Sequence, residues 1–142
     1  MNPTPSTPFD LTGQTALITG ASRGLGQHFG RALAKAGADL IITSRKRADL
    51  APFVAEIEAL GRKAFPLELD VRSQQSIEAM TAEAHALVPQ IHILVNNAGC
   101  NVRKPALDVT WDDWNLILET NLRGSFFVAQ YLARRIDRKS VV

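Results

Sequence analysis

The chain has 142 residues, 46% hydrophobic, 21% charged and 6% aromatic, and 16 basic against 14 acidic residues leave a formal charge of +2. These values are typical of one globular domain and argue against a disordered, collagen-like or coiled-coil chain. They also argue against the strongly basic surface that binds nucleic acid, and no apolar run approaches the ~20 residues of a membrane-spanning helix.

The single cysteine and the polar start of the chain bear on its compartment. Cys100 permits no internal disulfide, and the first residues lack a charged-then-apolar leader pattern. Both features predict a cytoplasmic protein. Because the start is rich in Pro, Thr and Ser without apolar periodicity, residues 1–10 are expected to form a flexible tail, and residues 11–142 a partial dinucleotide-binding domain.

Beyond the tail, short β-type runs alternate with segments of helical period. The predicted strands are 15–19, 40–43, 64–69 and 91–95, and the last helix extends over 111–135 from a Thr110 capping box. This alternation predicts an α/β fold with a doubly wound parallel sheet of the Rossmann type. Pro66 places the third strand at a sheet edge. Residues 140–142 resemble the start of a fifth strand, so the sheet is expected to be truncated after the fourth strand and its long helix.

The first and the last predicted helices are expected to pack by regular apolar stripes. Leu25, Phe29, Leu33 and Ala36 share one face of the first helix, and Gly37 ends it. In the helix over 111–135, the predicted stripe includes Trp114, Ile117, Leu118, Leu122 and Val128.

A glycine-rich turn follows the first strand. Gly20, Gly24 and Gly26 are spaced G-x-x-x-G-x-G at the start of a helix, where backbone N–H groups and the helix dipole favour a pyrophosphate. A purely steric turn is the alternative, and the strand–turn–helix placement favours nucleotide binding.

The second strand ends without the carboxylate that normally bonds the ribose of NAD. Ser44 and Arg45 stand there instead, and Arg45 could converge with Arg23 on a 2′-phosphate. The alternative is a solvated basic cluster at the entry of the next helix. The pattern predicts that NADP is preferred, with NAD possible.

Two further strand ends carry candidate site residues. Asp70 and Val71 follow the third strand, where Asp70 could accept a hydrogen bond from adenine or serve only as a turn residue. Residues 96–99 (NNAG) follow the fourth strand, at the crevice where ligands bind in this topology, although Asn and Gly also form ordinary turns.

Together, these segments and Asn121 within residues 120–122 (TNL) resemble the short-chain dehydrogenase/reductase family over roughly residues 9–136. The resemblance implies oxidation of alcohols or reduction of carbonyls with a nicotinamide cofactor. It implies a catalytic role for Asn121, for which a structural buried asparagine is the alternative. It also implies cofactor contacts by Ser22, Arg23, Leu25, Asp70, Val71, Asn97, Ala98, Gly99 and Thr120.

The family's catalytic Ser and its Tyr-x-x-x-Lys helix find no match in the chain. The only tyrosine, Tyr131, has Arg135 four residues on, and because arginine keeps its proton, Tyr131 is interpreted as a packing or interface residue. The 142 residues alone are therefore expected to be catalytically inactive. The alternative function is a non-catalytic nucleotide-binding or interaction module.

Other features point to substrate and assembly. The loop over 100–105 resembles that of sugar-acid dehydrogenases, where a cation could orient a carboxylate, although an exposed loop charge is an equal reading. The apolar surface of the 111–135 helix predicts association through that helix, and the family resemblance implies a homodimer or homotetramer. His28, His85 and His92 lack metal-ligand spacing, so no metal site is expected, and Cys100 has no assigned role.

Overall fold

The computed structural model describes residues 8–136. Four strands form one parallel sheet in the order β3-β2-β1-β4, namely β1 (Thr15–Ile18), β2 (Asp39–Ser44), β3 (Ala64–Glu68) and β4 (Ile93–Val95). The α-helices are α1 (Gly24–Lys35), α2 (Ala51–Ala59), α3 (Gln74–Leu87), α4 (Trp111–Leu118) and α5 (Ser125–Ile136). Short 3₁₀ turns occupy Arg47–Leu50 and Ala106–Asp108, and a π-helical turn, Glu119–Gly124, joins α4 to α5.

Alternate residues of the central strands face two separate cores. Ile18 and Ile42 point to the layer that contains Phe53 of α2, whereas Leu17 points to the layer that contains Val128 of α5. Helices therefore cover both faces of the sheet, as the doubly wound Rossmann-type prediction requires. Pro66 lies in β3 at the sheet edge, where its missing N–H costs no ladder hydrogen bond.

The buried face of α1 differs from the predicted stripe. Leu25 and Phe29 are 66% and 41% exposed, while Gly26, Gly30 and Ala34 are buried against the sheet. A Cβ at Gly30 would lie 2.7 Å from the Phe53 ring. The prediction was wrong for Leu25 and Phe29, because the helix approaches its neighbours too closely there for large side chains, so the small residues face inward. Leu33 of the predicted stripe does pack against the core.

The helix over 111–135 is interrupted by the π-helical turn. Trp114 and Leu122 of the predicted stripe are 57% and 66% exposed, whereas Val128 is fully buried. A π turn accommodates one residue more than an α turn, which rotates α5 against α4 by roughly 100°. Residues before and after the turn therefore do not share one buried face, and the predicted continuous stripe was wrong. The Thr110–Asp113 capping box at the start of α4 is present as predicted.

Two of the predicted terminal features lie outside residues 8–136. Residues 1–7 of the expected tail and the expected strand start at 140–142 lie outside the described residues. Near the start of the described residues, Asp10 Oδ1 accepts hydrogen bonds from the backbone N–H and the hydroxyl of Thr12, at 2.9 and 2.6 Å.

The histidines occupy unrelated positions. His92 Nδ1 accepts from the Thr15 backbone at 3.0 Å, and His85 Nε2 is buried with no partner among residues 8–136. Burial, assisted by the positive charge of Arg135, lowers the pKa of His85.

Within residues 8–136 there is no group of three potential metal-ligating side chains, and no helix has the length and apolar character to cross a membrane.

Candidate functional site

A cleft of about 1100 Å³ opens where the four parallel strands end. The segments that follow β1, β3 and β4 meet there, together with the end of β2 and the π-helical turn. Its lining consists of Gly20, Ser22, Arg23, Gly24, Leu25, Ser44, Arg45, Lys46, Asp49, Asp70, Val71, Arg72, Asn97, Ala98, Gly99, Cys100, Leu116 and Thr120. The structure thus brings together every predicted cofactor-contacting residue except Gly26.

The glycine turn presents backbone to the cleft. Gly20 and Gly24 have φ values of +68° and +58°, a region that other residues rarely adopt. Nothing lies within 4 Å of a Cβ built on Gly24, so the space beside it is open. No side chain in the described chain caps the start of α1, and its first N–H groups are left for a ligand. The turn suits an anionic group such as a phosphate.

Gly26 has a steric role instead. A Cβ on this residue would lie 2.2 Å from the Gly20 carbonyl oxygen and 2.8 Å from Asn97 Nδ2. Gly26 therefore allows α1 to start directly against the turn, which fixes the direction of the helix N-terminus toward the cleft.

Asn97 joins the turn after β4 to the turn after β1. Its Nδ2 donates to the carbonyl oxygens of Thr19 and Gly20, at 3.1 and 2.9 Å. The Thr19 hydroxyl in return accepts from the backbone N–H groups of Asn97 and Ala98, at 3.0 and 2.9 Å. Both donors of the Asn97 amide are used in these contacts, so Asn97 supports the wall of the cleft that it lines.

Unpaired positive charges line the cleft at the end of β2 and beside the glycine turn. Arg45 and Lys46 follow β2, Arg23 directly precedes α1, and none of the three forms an ion pair within residues 8–136. Arg47 points elsewhere, because it donates to both oxygens of Glu83 on α3 at 2.9 Å. The cleft therefore offers unneutralised cations at one end, which favours an anion there.

Ser44 is engaged in shaping this end of the cleft. Its hydroxyl donates to the Lys46 carbonyl oxygen and accepts from the Lys46 N–H. The hydroxyl proton is therefore used within the turn, and the arginines are left as the donors available to a ligand.

The turn after β3 presents Asp70 and Val71. Asp70 Oδ1 accepts from the Arg72 N–H at 3.0 Å, the bond of an Asx turn. The structure thus supports the turn reading of this oxygen, while Oδ2 has no protein partner in the described region. The second carboxylate oxygen is free to accept a hydrogen bond from a ligand.

Asn121 lies in the π-helical turn, beside the cleft and outside its lining. Its Oδ1 accepts from the Cys100 N–H and its Nδ2 donates to the Cys100 carbonyl oxygen, both at 2.8 Å. The alternative of a buried asparagine was wrong, because Asn121 is exposed and its side chain bonds two backbone atoms of Cys100. Its neighbour Thr120, whose hydroxyl donates to the Leu116 carbonyl oxygen at 2.7 Å, does line the cleft.

Tyr131 lies between helices, apart from the cleft. Its hydroxyl donates to Glu78 at 2.8 Å and accepts from Gln74 at 3.1 Å, both on α3. The Arg134 guanidinium stacks on its ring at 5.2 Å. These contacts support the reading of Tyr131 as a packing residue.

Sequence reasoning did not select Lys46, Asp49, Arg72 or Leu116 as cleft residues. Lys46 and Arg72 directly follow predicted site residues, so their position along the chain was the available signal. Asp49 and Leu116 come from a 3₁₀ turn and from α4, and no motif marks them.

Sequence comparison relates the chain to known dehydrogenases and reductases. The chain matches the short chain dehydrogenase family model over residues 14–141. It is 36% identical over 128 residues to gluconate 5-dehydrogenase of Gluconobacter oxydans, covering 90% of this chain and 50% of that protein. It is 39% identical to the 3-oxoacyl-[acyl-carrier-protein] reductase of Aquifex aeolicus, covering 91% of this chain and 52% of that protein.

Solved structures agree with the fold. A putative short-chain alcohol dehydrogenase from Sinorhizobium meliloti superimposes with a TM-score of 0.85 at 45% identity, covering 89% of this chain and 50% of the other. A gluconate 5-dehydrogenase from Burkholderia cenocepacia, solved with NADP and tartrate, gives 0.83 at 40% identity, covering 89% and 49%. The chain spans about half the length of the curated relatives it matches. Because the family model covers nearly the whole chain and the cleft has the expected glycine turn, the chain belongs to the short-chain dehydrogenase family.

Proposed function

We propose that this chain binds the adenosine end of NADP, in preference to NAD, as part of an oxidoreductase that acts on an alcohol or carbonyl substrate. The observation that carries the proposal is the cleft, where an open glycine turn lies next to unpaired cations at the end of β2. When bound, the nicotinamide cofactor supplies or accepts the hydride. The proposal includes a small-molecule substrate and, from the single cysteine, a cytoplasmic location.

The proposed roles follow from the positions of the residues. The Gly20–Gly24 turn and the start of α1 hold the pyrophosphate, and Arg23 and Arg45 hold the 2′-phosphate. Asp70 and Val71 contact the adenine, while residues 97–99 and Thr120 line the cleft toward the nicotinamide side. Asn121 has a proposed catalytic role, with its side chain anchored on Cys100. Ser44 and Gly26 contribute by shaping the cleft.

Calorimetric titration of the purified chain with NADP, NAD and adenosine 2′,5′-bisphosphate tests the binding proposal. Adenosine 2′,5′-bisphosphate should bind, because its contacts all come from the described cleft. Absence of binding by both NADP and the bisphosphate would contradict it. The alternative, a nucleotide-binding module without turnover, predicts the same titrations but no substrate-dependent change in NADPH absorbance.

A sugar acid is the proposed substrate class. Relatives named gluconate 5-dehydrogenase and 2-dehydro-3-deoxy-D-gluconate 5-dehydrogenase support it, as does a basic loop three residues beyond Cys100. Lys104 is already paired in this loop, because its Nζ donates to Asp113 Oδ2 at 2.6 Å. The Lys104 contact, together with the Thr110 backbone, lowers the pKa of the Asp113 carboxyl to about 2. Arg103 is exposed and has no ion pair among residues 8–136, so it is the cation available to a carboxylate.

Replacing Arg103 by glutamine in the complete protein is expected to raise KM for gluconate-type substrates about tenfold or more, since a charge-assisted hydrogen bond contributes roughly 1.5–3 kcal/mol. KM for an uncharged polyol and the affinity for NADP should stay unchanged. Lys63→Gln, which removes a positive charge at the start of β3, is the control. A KM that rises equally for charged and uncharged substrates would contradict the role of Arg103.

Association is proposed through the exposed face of α4, the π-helical turn and α5. Leu118, Leu122, Phe126 and Phe127 line a groove of about 450 Å³ there, and the two phenylalanine rings meet edge to face at 5.2 Å. Such a contiguous apolar surface is more often buried against a partner than left in water. A second copy of the protein is the proposed partner.

Leu122→Asp is expected to convert dimers or tetramers of the complete protein to smaller species in sedimentation velocity at micromolar concentration. The cause is the cost of burying an unpaired carboxylate in an apolar interface. Leu107→Asp is the matched control, because Leu107 is 99% exposed on the preceding 3₁₀ turn. A strictly monomeric wild-type protein would contradict the prediction.

A further inference from the structure

The π-helical turn Glu119–Gly124 is attached to the cleft at two places. On one side, the Asn121 side chain forms two hydrogen bonds with the backbone of Cys100, which lines the cleft after β4. On the other side, the turn contacts the segment after β3. A single short element therefore connects the two walls between which a cofactor would lie.

The second attachment is an ionic link. Glu119 Oε2 lies 3.3 Å from an Arg72 guanidinium nitrogen, and Glu119 Oε1 lies 3.5 Å from Arg123. Arg123 also donates to the Arg72 carbonyl oxygen at 3.4 Å. One carboxylate thus holds two cations, one from the turn after β3 and one from the π-helical turn itself.

The same two segments also touch through their backbones. A Cβ on Gly124 would lie 2.8 Å from both the Cβ and the carbonyl oxygen of Val71, so there is no room for a side chain between them. Val71 is 8% exposed and Arg72 lines the cleft beside it. Asp70 is linked to this point as well, because its Oδ1 accepts from the Arg72 N–H.

The physical properties of the link suit a responsive contact. In the single chain, the side chains of Arg72, Glu119 and Arg123 are 46%, 31% and 49% exposed, and ion pairs with this exposure are weak individually. Glu119 and Arg123 also line the groove proposed above for the second copy, so the link lies beside that surface. A π-helical turn is itself a rare conformation, often found at functional sites. The distances of this link depend on the position of the turn after β3, because Arg72 belongs to that turn.

We propose that Glu119 is a positioning residue, which through Arg72 couples occupancy of the adenine end of the cleft to the ordering of the π-helical turn that carries Thr120 and Asn121. This inference rests on the proposed cofactor binding. It assigns to Glu119 a function for which no motif in the sequence gave a signal.

Hydrogen exchange measured by mass spectrometry on the full chain, with adenosine 2′,5′-bisphosphate as the probe, tests the coupling. This ligand carries the adenine and the 2′-phosphate but no nicotinamide. In the wild type, saturation should slow exchange both at residues 20–26 and at residues 119–124. In Glu119→Gln at saturation, the first effect should remain and the second should be lost. The affinity should fall by about twofold to fivefold, the range of an exposed ion pair.

Glu58→Gln on α2 is the matched control, and it should respond as the wild type does. Full ligand-induced slowing at residues 119–124 in Glu119→Gln would overturn the inference while leaving cofactor binding intact. A wild type that does not bind the probe would overturn the proposed function and the inference together. Should Glu119→Gln fail to fold, Arg72→Gln tests the same link from the opposite side.

A double-mutant cycle provides the second readout. Because Arg72 lines the cleft, Arg72→Gln has a direct effect on binding that Glu119→Gln lacks. If the two act through one link, the double variant should bind the probe more tightly than the product of the two single effects predicts. Strictly additive effects would show that Glu119 acts independently of Arg72.

Discussion

Gly24→Val is expected to weaken NADP binding at least about a hundredfold, with the fold retained. A side chain at φ +58° would fill the open space over the start of α1 and displace the phosphate from at least two backbone N–H groups. Each charge-assisted hydrogen bond contributes roughly 1.5–3 kcal/mol, so the loss of two gives this effect. Calorimetric titration measures the affinity, and circular dichroism the fold.

Gly61→Val is the matched control. Gly61 has φ +78°, and nothing lies within 4 Å of its added Cβ, so both variants carry a similar backbone strain of about 1–2 kcal/mol. Only Gly24 faces the cleft. Equal NADP affinities in the two variants would show that the glycines of the turn have a steric role alone. Gly20→Val should also abolish binding, but its Cβ would press on Ala98 at 3.0 Å, so Gly24 is the cleaner test.

Arg45→Ala is expected to lower the affinity for NADP at least about tenfold and to leave the affinity for NAD nearly unchanged. The reason is that the proposed partner of the guanidinium is the 2′-phosphate, which NAD lacks, and a charge-assisted contact contributes roughly 1.5–3 kcal/mol. Arg23→Ala should produce a similar, separate loss. The effect should shrink as salt concentration rises, because the cations are exposed.

Arg47→Ala separates a specific contact from net charge. It removes the same charge two residues away, but Arg47 is bound to Glu83 and lies outside the cleft lining. NADP binding by this variant should resemble that of the wild type. A wild-type chain that binds NADP and NAD equally, or an Arg47→Ala variant as impaired as Arg45→Ala, would contradict selection of the 2′-phosphate by Arg45.

Much of the fold follows from local patterns. The alternation of strands and helices and the Thr110 capping box are confirmed, because each depends on interactions within a few residues. The edge position of Pro66 is confirmed because proline has no N–H to donate to a second neighbouring strand. The family resemblance is confirmed for the same reason, since its motifs are short and stand at strand ends. Helix packing was less predictable. The outward position of Leu25 depends on how closely α1 approaches β1, and that distance is a property of the assembled sheet.

The sequence by itself determined most of the residues that reach the cleft, because the carboxyl ends of parallel strands converge at one edge of the sheet, so residues 20, 22–25, 44–45, 70–71 and 97–99 meet there. Only the tertiary structure decided which partner each of these side chains contacts. Asn97 and Ser44 use their polar groups on neighbouring backbone, Gly26 makes room for a carbonyl oxygen, and Glu119 joins Arg72 across 47 residues of chain. Such contacts mostly join segments that are distant in sequence, so the hydrophobic periodicity and the spacing of motifs do not predict them.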